Sequence, residues 1–138
     1  MLLGYKNQFV PKIESGIKCH TIRAKRKNPI KQGDTLHHYA NVRQKSMRLI
    51  SKNECTKVQE IEIRIKDGKI DVWVGQAHIN GRTLEKLVLH DGFNSVEEFQ
   101  AFWEKHPSSK TDKSGVTLSF EGDLIHWTDL WHEYNLPF

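Results

Sequence analysis

Residues 60–75, "EIEIRIKDGKIDVWVG", decide how this chain is read. Ile61, Ile63 and Ile65 alternate with Glu62, Arg64 and Lys66, and Ile70, Val72 and Val74 alternate with Asp71 and Trp73. Successive side chains of a strand point to opposite faces, so each run buries one face and wets the other. Asp67–Gly68 stands between them as a two-residue turn that tolerates the positive φ a right-twisted hairpin needs. The chain therefore has an antiparallel hairpin at its centre.

Working outward, "QAHINGR" reads as a further extended piece ending at Asn80–Gly81, and "TLEKLVLHDGF" as a helical turn broken at Asp91–Gly92. "NSVEEFQAFWEKH" is the best helix in the sequence. Ser95 and Glu98 have capping-box spacing, and Phe99, Phe102 and Trp103 form an apolar stripe, with Trp103 expected in the core. "PSSKTDKSG" reads as a polar loop. "VTLSFEGDLIHWTDL" reads as two last strands around Gly122–Asp123 or one bulged excursion, and the aromatic tail "WHEYNLPF" is expected to dock on the body. Toward the N-terminus, "QFVPKIESG" reads as a short helix with Pro11 in its first turn and Gly16 as its C-terminal cap. "HTIRAK" follows as a strand, and Thr35–Val42 as another after the Gly33–Asp34 turn.

This order, with turns every eight to twelve residues, predicts one α+β domain over residues 1–138. Its expected core is a small, mostly antiparallel β-barrel with short flanking helices, not a doubly wound sheet. The length, 138 residues, suits one domain. No apolar run reaches the length of a membrane span and "MLLGYKNQF" lacks a signal-peptide core, so no membrane partner is expected and the cytoplasm is the default location. Cys19 and Cys55 agree with a reducing compartment. The net charge of +4 is uneven, with "RAKRKNPIK" basic and "SVEEFQAFWEKH" acidic, which leans toward an anionic partner.

The chemistry-bearing stretch is "GIKCHTIR", residues 16–23. On a strand starting at His20, Thr21 and Arg23 share one face while His20 and Ile22 take the other, and Lys18 swings in from the preceding turn. A Lys near an Arg in a partly enclosed cleft loses affinity for its proton, and a neutral amine deprotonates a hydroxyl such as that of Thr21. The plainer reading is a solvated basic turn with no chemistry. Asp91, in "HDGF", is either a turn former or the proton-handling partner of the Lys–Thr pair. Tyr39 is the aromatic residue best placed by sequence to reach a ligand, and Lys25 and Arg26 offer phosphate contacts. The eight histidines show neither HExxH nor zinc-finger spacing, no phosphate-cradling glycine loop is present, and no metal or cofactor is expected.

Four motifs in order resemble the ASCH domain family. They are Gly16, Lys18, Thr21 and Arg23 as G-x-K-x-x-T-x-R; Gly33–Asp34 opening a strand; Asp91 to Phe93 with Ser95 to Phe99; and Phe120 to Trp127. The resemblance implies a PUA-like β-barrel with a cleft that binds RNA or a nucleoside; together with the residues read above, the expected ligand-binding set is Lys18, Thr21, Arg23, Lys25, Arg26 and Tyr39. One branch of the family, the small amidohydrolases that deacylate N4-acetylcytidine, uses a Lys, a Thr and a Glu. The first two match Lys18 and Thr21, and the Glu position falls at or beside Asp91, whose side chain is one methylene shorter. The resemblance thus implies a nucleoside- or RNA-binding module, with a metal-independent amidohydrolase (catalytic Lys18, Thr21 and Asp91) and a protein-interaction module as alternatives.

Overall fold

The central hairpin forms as its alternation requires. In the computed structural model, which describes residues 1–135, β5 (Lys57–Lys66) and β6 (Lys69–Val74) pair antiparallel with Ile61 opposite Val74, Ile63 opposite Val72 and Ile65 opposite Ile70. Asp67 and Gly68 both take positive φ, 53° and 75°, which gives the turn the hand of the strands it joins. Ile61, Ile63, Ile65, Val72 and Val74 are buried, while Arg64 and Lys66 are exposed.

The remaining strands are β1 (Leu2–Tyr5), β2 (His20–Ala24), β3 (Thr35–Ala40), β4 (Arg48–Glu54), β7 (Ala77–Ile79), β8 (Lys110–Asp112) and β9 (Gly115–His126). The helices are α1 (Val10–Glu14), α2 (Gly81–His90) and α3 (Val96–Glu104), with 3-10 turns at Asn7–Phe9 and Leu130–Tyr134. The fold is mixed α+β and mostly antiparallel. One sheet runs β1-β3-β4, with β1 parallel to β3; the other runs β2-β9-β5-β6-β7, with β8 added along β9. No ladder joins the two sheets among the described residues, so the strands as paired are two sheets where the sequence led us to expect one closed barrel.

Three other expectations change. Gly122–Asp123 is no turn: β9 is one strand of 12 residues, and Gly122 sits in its middle, opposite Ala24 on one side and Ile61 on the other. Glycine is required there by space, because a Cβ would lie 2.4 Å from the Arg23 carbonyl oxygen. The segment read as a polar loop contains β8, which pairs with the start of β9. The helical turn after Asn80 is a full helix of ten residues.

Two helix ends set up the site. α1 stops at Gly16 (φ +82°), whose N–H bonds to the Ile13 carbonyl, and the chain then turns into β2. α2 ends in a Schellman motif: Asp91 is the C-cap, Gly92 takes φ +104°, its N–H bonds to Leu89 O, and Phe93 N–H bonds to Val88 O. The residue after the glycine in such a motif turns inward, and Phe93 is packed edge-on against Phe9, Phe99 and Phe102. α3 is capped by Ser95, whose Oγ accepts from Glu98 N–H at 3.1 Å. The aromatic tail docks through Tyr134, which is fully buried; residues 136–138 lie outside the described residues.

Candidate active site

A cavity of about 280 Å³ opens between the end of β1, the 3-10 turn that follows it, β2, the end of α2 and α3. Lys18, Thr21, Arg23 and Asp91 all line it, and Tyr5, Phe9, Phe93, Phe102, Trp103 and Phe120 supply its apolar walls. His106 at the rim stacks on Trp103 at 27°. Sequence spacing singled out the four polar residues. It missed the aromatic walls, apart from placing Phe99, Phe102 and Trp103 on one helix stripe, because Tyr5, Phe9 and Phe120 come from elements far apart in the chain.

Lys18 is 3% exposed. Its ammonium donates to the His20 carbonyl at 2.8 Å, to the Asp91 carbonyl at the end of α2, and to Asp91 Oδ1 at 3.5 Å. A cation against the last carbonyls of a helix is favoured, and three acceptors match the three N–H donors. Burial nevertheless lowers its pKa to about 8, with the positive charge of Arg23 adding to the effect and Asp91 opposing it. Lys18 also lies over the Phe9 ring, 5.0 Å from its centroid.

Thr21 Oγ1 accepts from Arg23 Nε at 3.2 Å. Arg23 is itself fixed, donating through Nη2 to Gly4 O at 2.8 Å and lying 4.9 Å from the Tyr5 ring centroid. With Arg23 as donor, the Thr21 hydroxyl keeps its own proton free to point elsewhere. No hydrogen bond joins Lys18 Nζ to Thr21 among the described residues; they share a wall of the cavity.

Asp91 is buried, and its Oδ1 also meets His20 Nδ1 at 3.1 Å. His20 in turn meets the Tyr134 hydroxyl through Nε2 at 2.8 Å. Asp91 Oδ2 makes no hydrogen bond among the described residues, and Asp91 lines the cavity. Gly92 next to it has no room for a side chain, since a Cβ would approach Phe9 at 2.8 Å and the Lys18 stem at 3.1 Å.

The other residues singled out from sequence lie elsewhere. Lys25 is exposed and pairs with Asp123 at 3.0 Å and Glu60 at 3.4 Å, and Arg26 is exposed. Neither lines the cavity. Tyr39 is half-buried on β3, on the opposite face from the buried His38, and is not a cavity residue either. Among the described residues no group of three or more His, Cys, Asp or Glu could hold a metal ion, and Cys19 and Cys55 are free thiols. No helix among them is long and apolar enough to cross a membrane. No family model matches the chain, and no curated protein or solved structure matches it either.

Proposed function

We propose that the protein is a nucleoside-binding module of the ASCH type, with PUA-like barrel architecture, whose cavity takes a cytosine nucleoside acylated on its exocyclic nitrogen and hydrolyses that amide without a metal. The observation that carries this reading is a buried Lys18–Asp91 pair opening on the same aromatic-walled cavity as Thr21. At about 280 Å³ the cavity sits near the small end of ligand pockets, a size for one base and its sugar, not for a strand. Its rings would stack a pyrimidine and keep bulk water from the amide.

The chemistry follows from the donors and acceptors present. With a pKa of about 8, roughly a tenth of Lys18 is neutral at pH 7. In that neutral fraction the proton that met Asp91 Oδ1 has gone to solvent, and the lone pair in its place takes the Thr21 hydroxyl proton. Thr21 Oγ1 attacks the acyl carbon, with Arg23 beside the developing negative charge. The carbon–nitrogen bond breaks as Lys18 gives its proton to the departing nitrogen, leaving the free nucleoside and an acyl ester on Thr21. Water, deprotonated by Lys18, then displaces Thr21 Oγ1, which takes that proton back as the carboxylic acid is released. Asp91 offsets the ammonium charge whenever Lys18 carries the proton.

A second reading is binding of a nucleoside or an unpaired RNA base without turnover. It is favoured by the full engagement of the three Lys18 donors and by the exposed basic run Lys25–Lys31 beyond the cavity. A time course of N4-acetylcytidine hydrolysis by the purified protein separates the two. Turnover is expected, falling about 10²–10⁴-fold in Lys18→Ala as a general base is lost. No turnover at high protein concentration would sink the hydrolase; quenching of Trp103 fluorescence by cytidine in that same sample would leave the binding module standing.

A further inference from the structure

Behind the cavity, three buried polar groups run in line from the C-terminal 3-10 turn to the candidate acid. Tyr134 Oη is 2.8 Å from His20 Nε2, and His20 Nδ1 is 3.1 Å from Asp91 Oδ1. Tyr134 and His20 are 1% and 0% exposed, so neither hydrogen bond has water as a competitor. The direction of each bond is dictated. An ionised carboxylate only accepts, so His20 must donate from Nδ1; a neutral imidazole then has only a lone pair at Nε2, which the tyrosine hydroxyl fills. Burial lowers the His20 pKa and raises that of Tyr134, which keeps the imidazole neutral and the phenol protonated, as this polarity requires. The ring is further held edge-on between His126 and Tyr134, with centroids at 5.1 and 5.5 Å.

We propose that Tyr134 and His20 are positioning residues for Asp91: the Tyr134–His20 pair grips Oδ1 from behind and so presents Oδ2 to the ligand cavity. This inference rests on the proposed reaction, in which Asp91 balances the charge of the base Lys18 at the edge of the ligand cavity. It brings the C-terminal turn into the site, 114 residues from His20, through a Tyr134–His20 contact between two residues that do not line the cavity. It also gives a physical reason for a histidine on the core side of β2. An apolar residue would pack there, but Asp91 Oδ1 would be left with only the 3.5 Å contact to Lys18.

The charges facing this pair come from several elements. Lys18 lies in the turn before β2, His90 at the end of α2, His126 on β9, and Cys19 and Glu133 near Tyr134. The Asp91 carboxylate therefore has to be read directly and by difference between variants. Carbon-13 NMR of the Asp91 carboxylate, recorded at pH 7 without substrate, does this. In His20→Leu the resonance should move from its wild-type position, because the hydrogen bond to Oδ1 is lost. His20→Asn, which restores a donor near Nδ1 but cannot reach Tyr134, should recover most of that displacement, and Tyr134→Phe should give a smaller one. With N4-acetylcytidine, His20→Leu should lower kcat while leaving KM within about twofold, as expected for a group whose benefit is realised at the reacting atoms.

An Asp91 carboxylate resonance unchanged in both His20→Leu and Tyr134→Phe would overturn the proposal. Should His20→Leu fail to fold, the Tyr134→Phe spectrum decides alone. Because the carboxylate is read without turnover, an inactive wild-type protein with a displaced His20→Leu resonance would refute the hydrolase and leave the positioning pair intact.

Discussion

Lys18 is held by opposing forces, and its behaviour with pH follows from their balance. Burial disfavours the ammonium and Asp91 favours it, and burial prevails, leaving a pKa of about 8 against 10.5 for the free side chain. In the proposed reaction Lys18 must be neutral to act and gains active fraction as pH rises, so the rate of N4-acetylcytidine hydrolysis should climb about tenfold per unit below pH 8 and flatten above it. A rate–pH profile between pH 6 and 9.5 checks this; a profile already flat at pH 6.5 would mean that Lys18 is not the group being deprotonated. At this scale the sequence was informative where partners are near in the chain. Lys18, Thr21 and Arg23 lie within six residues, and strand alternation alone put Thr21 and Arg23 on one side, where the Arg23–Thr21 hydrogen bond joins them. Asp91 was visible through the break in "HDGF", now seen to be a helix C-cap. The His20–Tyr134 contact had no local signal, since neither residue type nor spacing links positions 20 and 134. Tyr39 was favoured because it is aromatic on a strand near basic residues, but alternation with His38 points it away from the cavity.

At the scale of elements, legibility tracked how local the determinants are. The β5–β6 hairpin carries its own alternation and its own turn, and nothing elsewhere could override them. β1 and β4 were missed because edge strands of a three-stranded sheet are only half covered, so "RLISKNE" shows no clear alternation. β9 was left open between two strands and one bulged excursion because its glycine resembles turn chemistry, yet that glycine answers to a neighbouring strand and the strand is single. Gly122 predicts a test of that assignment. Adding one methyl in Gly122→Ala would drive a Cβ to within 2.4 Å of Arg23 O and 2.7 Å of the Phe120 ring. Backbone cannot yield as a side-chain tip can, so β2 would have to separate from β9 beside Thr21 and Arg23. A loss of about 1–3 kcal/mol in urea unfolding is expected, together with a fall in N4-acetylcytidine turnover larger than the stability loss alone would give. If Gly122 lay in an exposed turn, the alanine would be nearly silent in both measurements.

For the molecule as a whole, the two sheets close over a core that includes three fully buried histidines, His20, His38 and His126. His38 accepts or donates at Nδ1 to the Tyr5 hydroxyl and lies 4.3 Å from the Trp127 ring centroid, while His126 meets Gln59 through Nε2. Each links a cavity-side or sheet-side element to the interior, and each is folded in as a neutral ring. Burial lowers His38 to about 4 and His126 to about 2, and lowers His20 as well, with the neighbouring His20 adding to the effect at His126. In the unfolded chain all three return toward 6.5, so between that value and about 4 the unfolded state binds more protons than the folded one. Stability from these groups is therefore complete above pH 6.5 and is lost as pH falls below it. The urea midpoint, followed by tryptophan fluorescence, should hold steady from pH 8 to 7 and drop progressively from pH 6.5 to 4.5. His38→Phe keeps the ring against Trp127 and removes one titrating group, so its midpoint should fall less steeply over the same interval, even though losing the Tyr5 hydrogen bond lowers it at pH 7. Equal slopes for the variant and the parent would mean that His38 is protonated in the folded protein, and that the apolar surroundings of β3 and Trp127 do not exclude the charge.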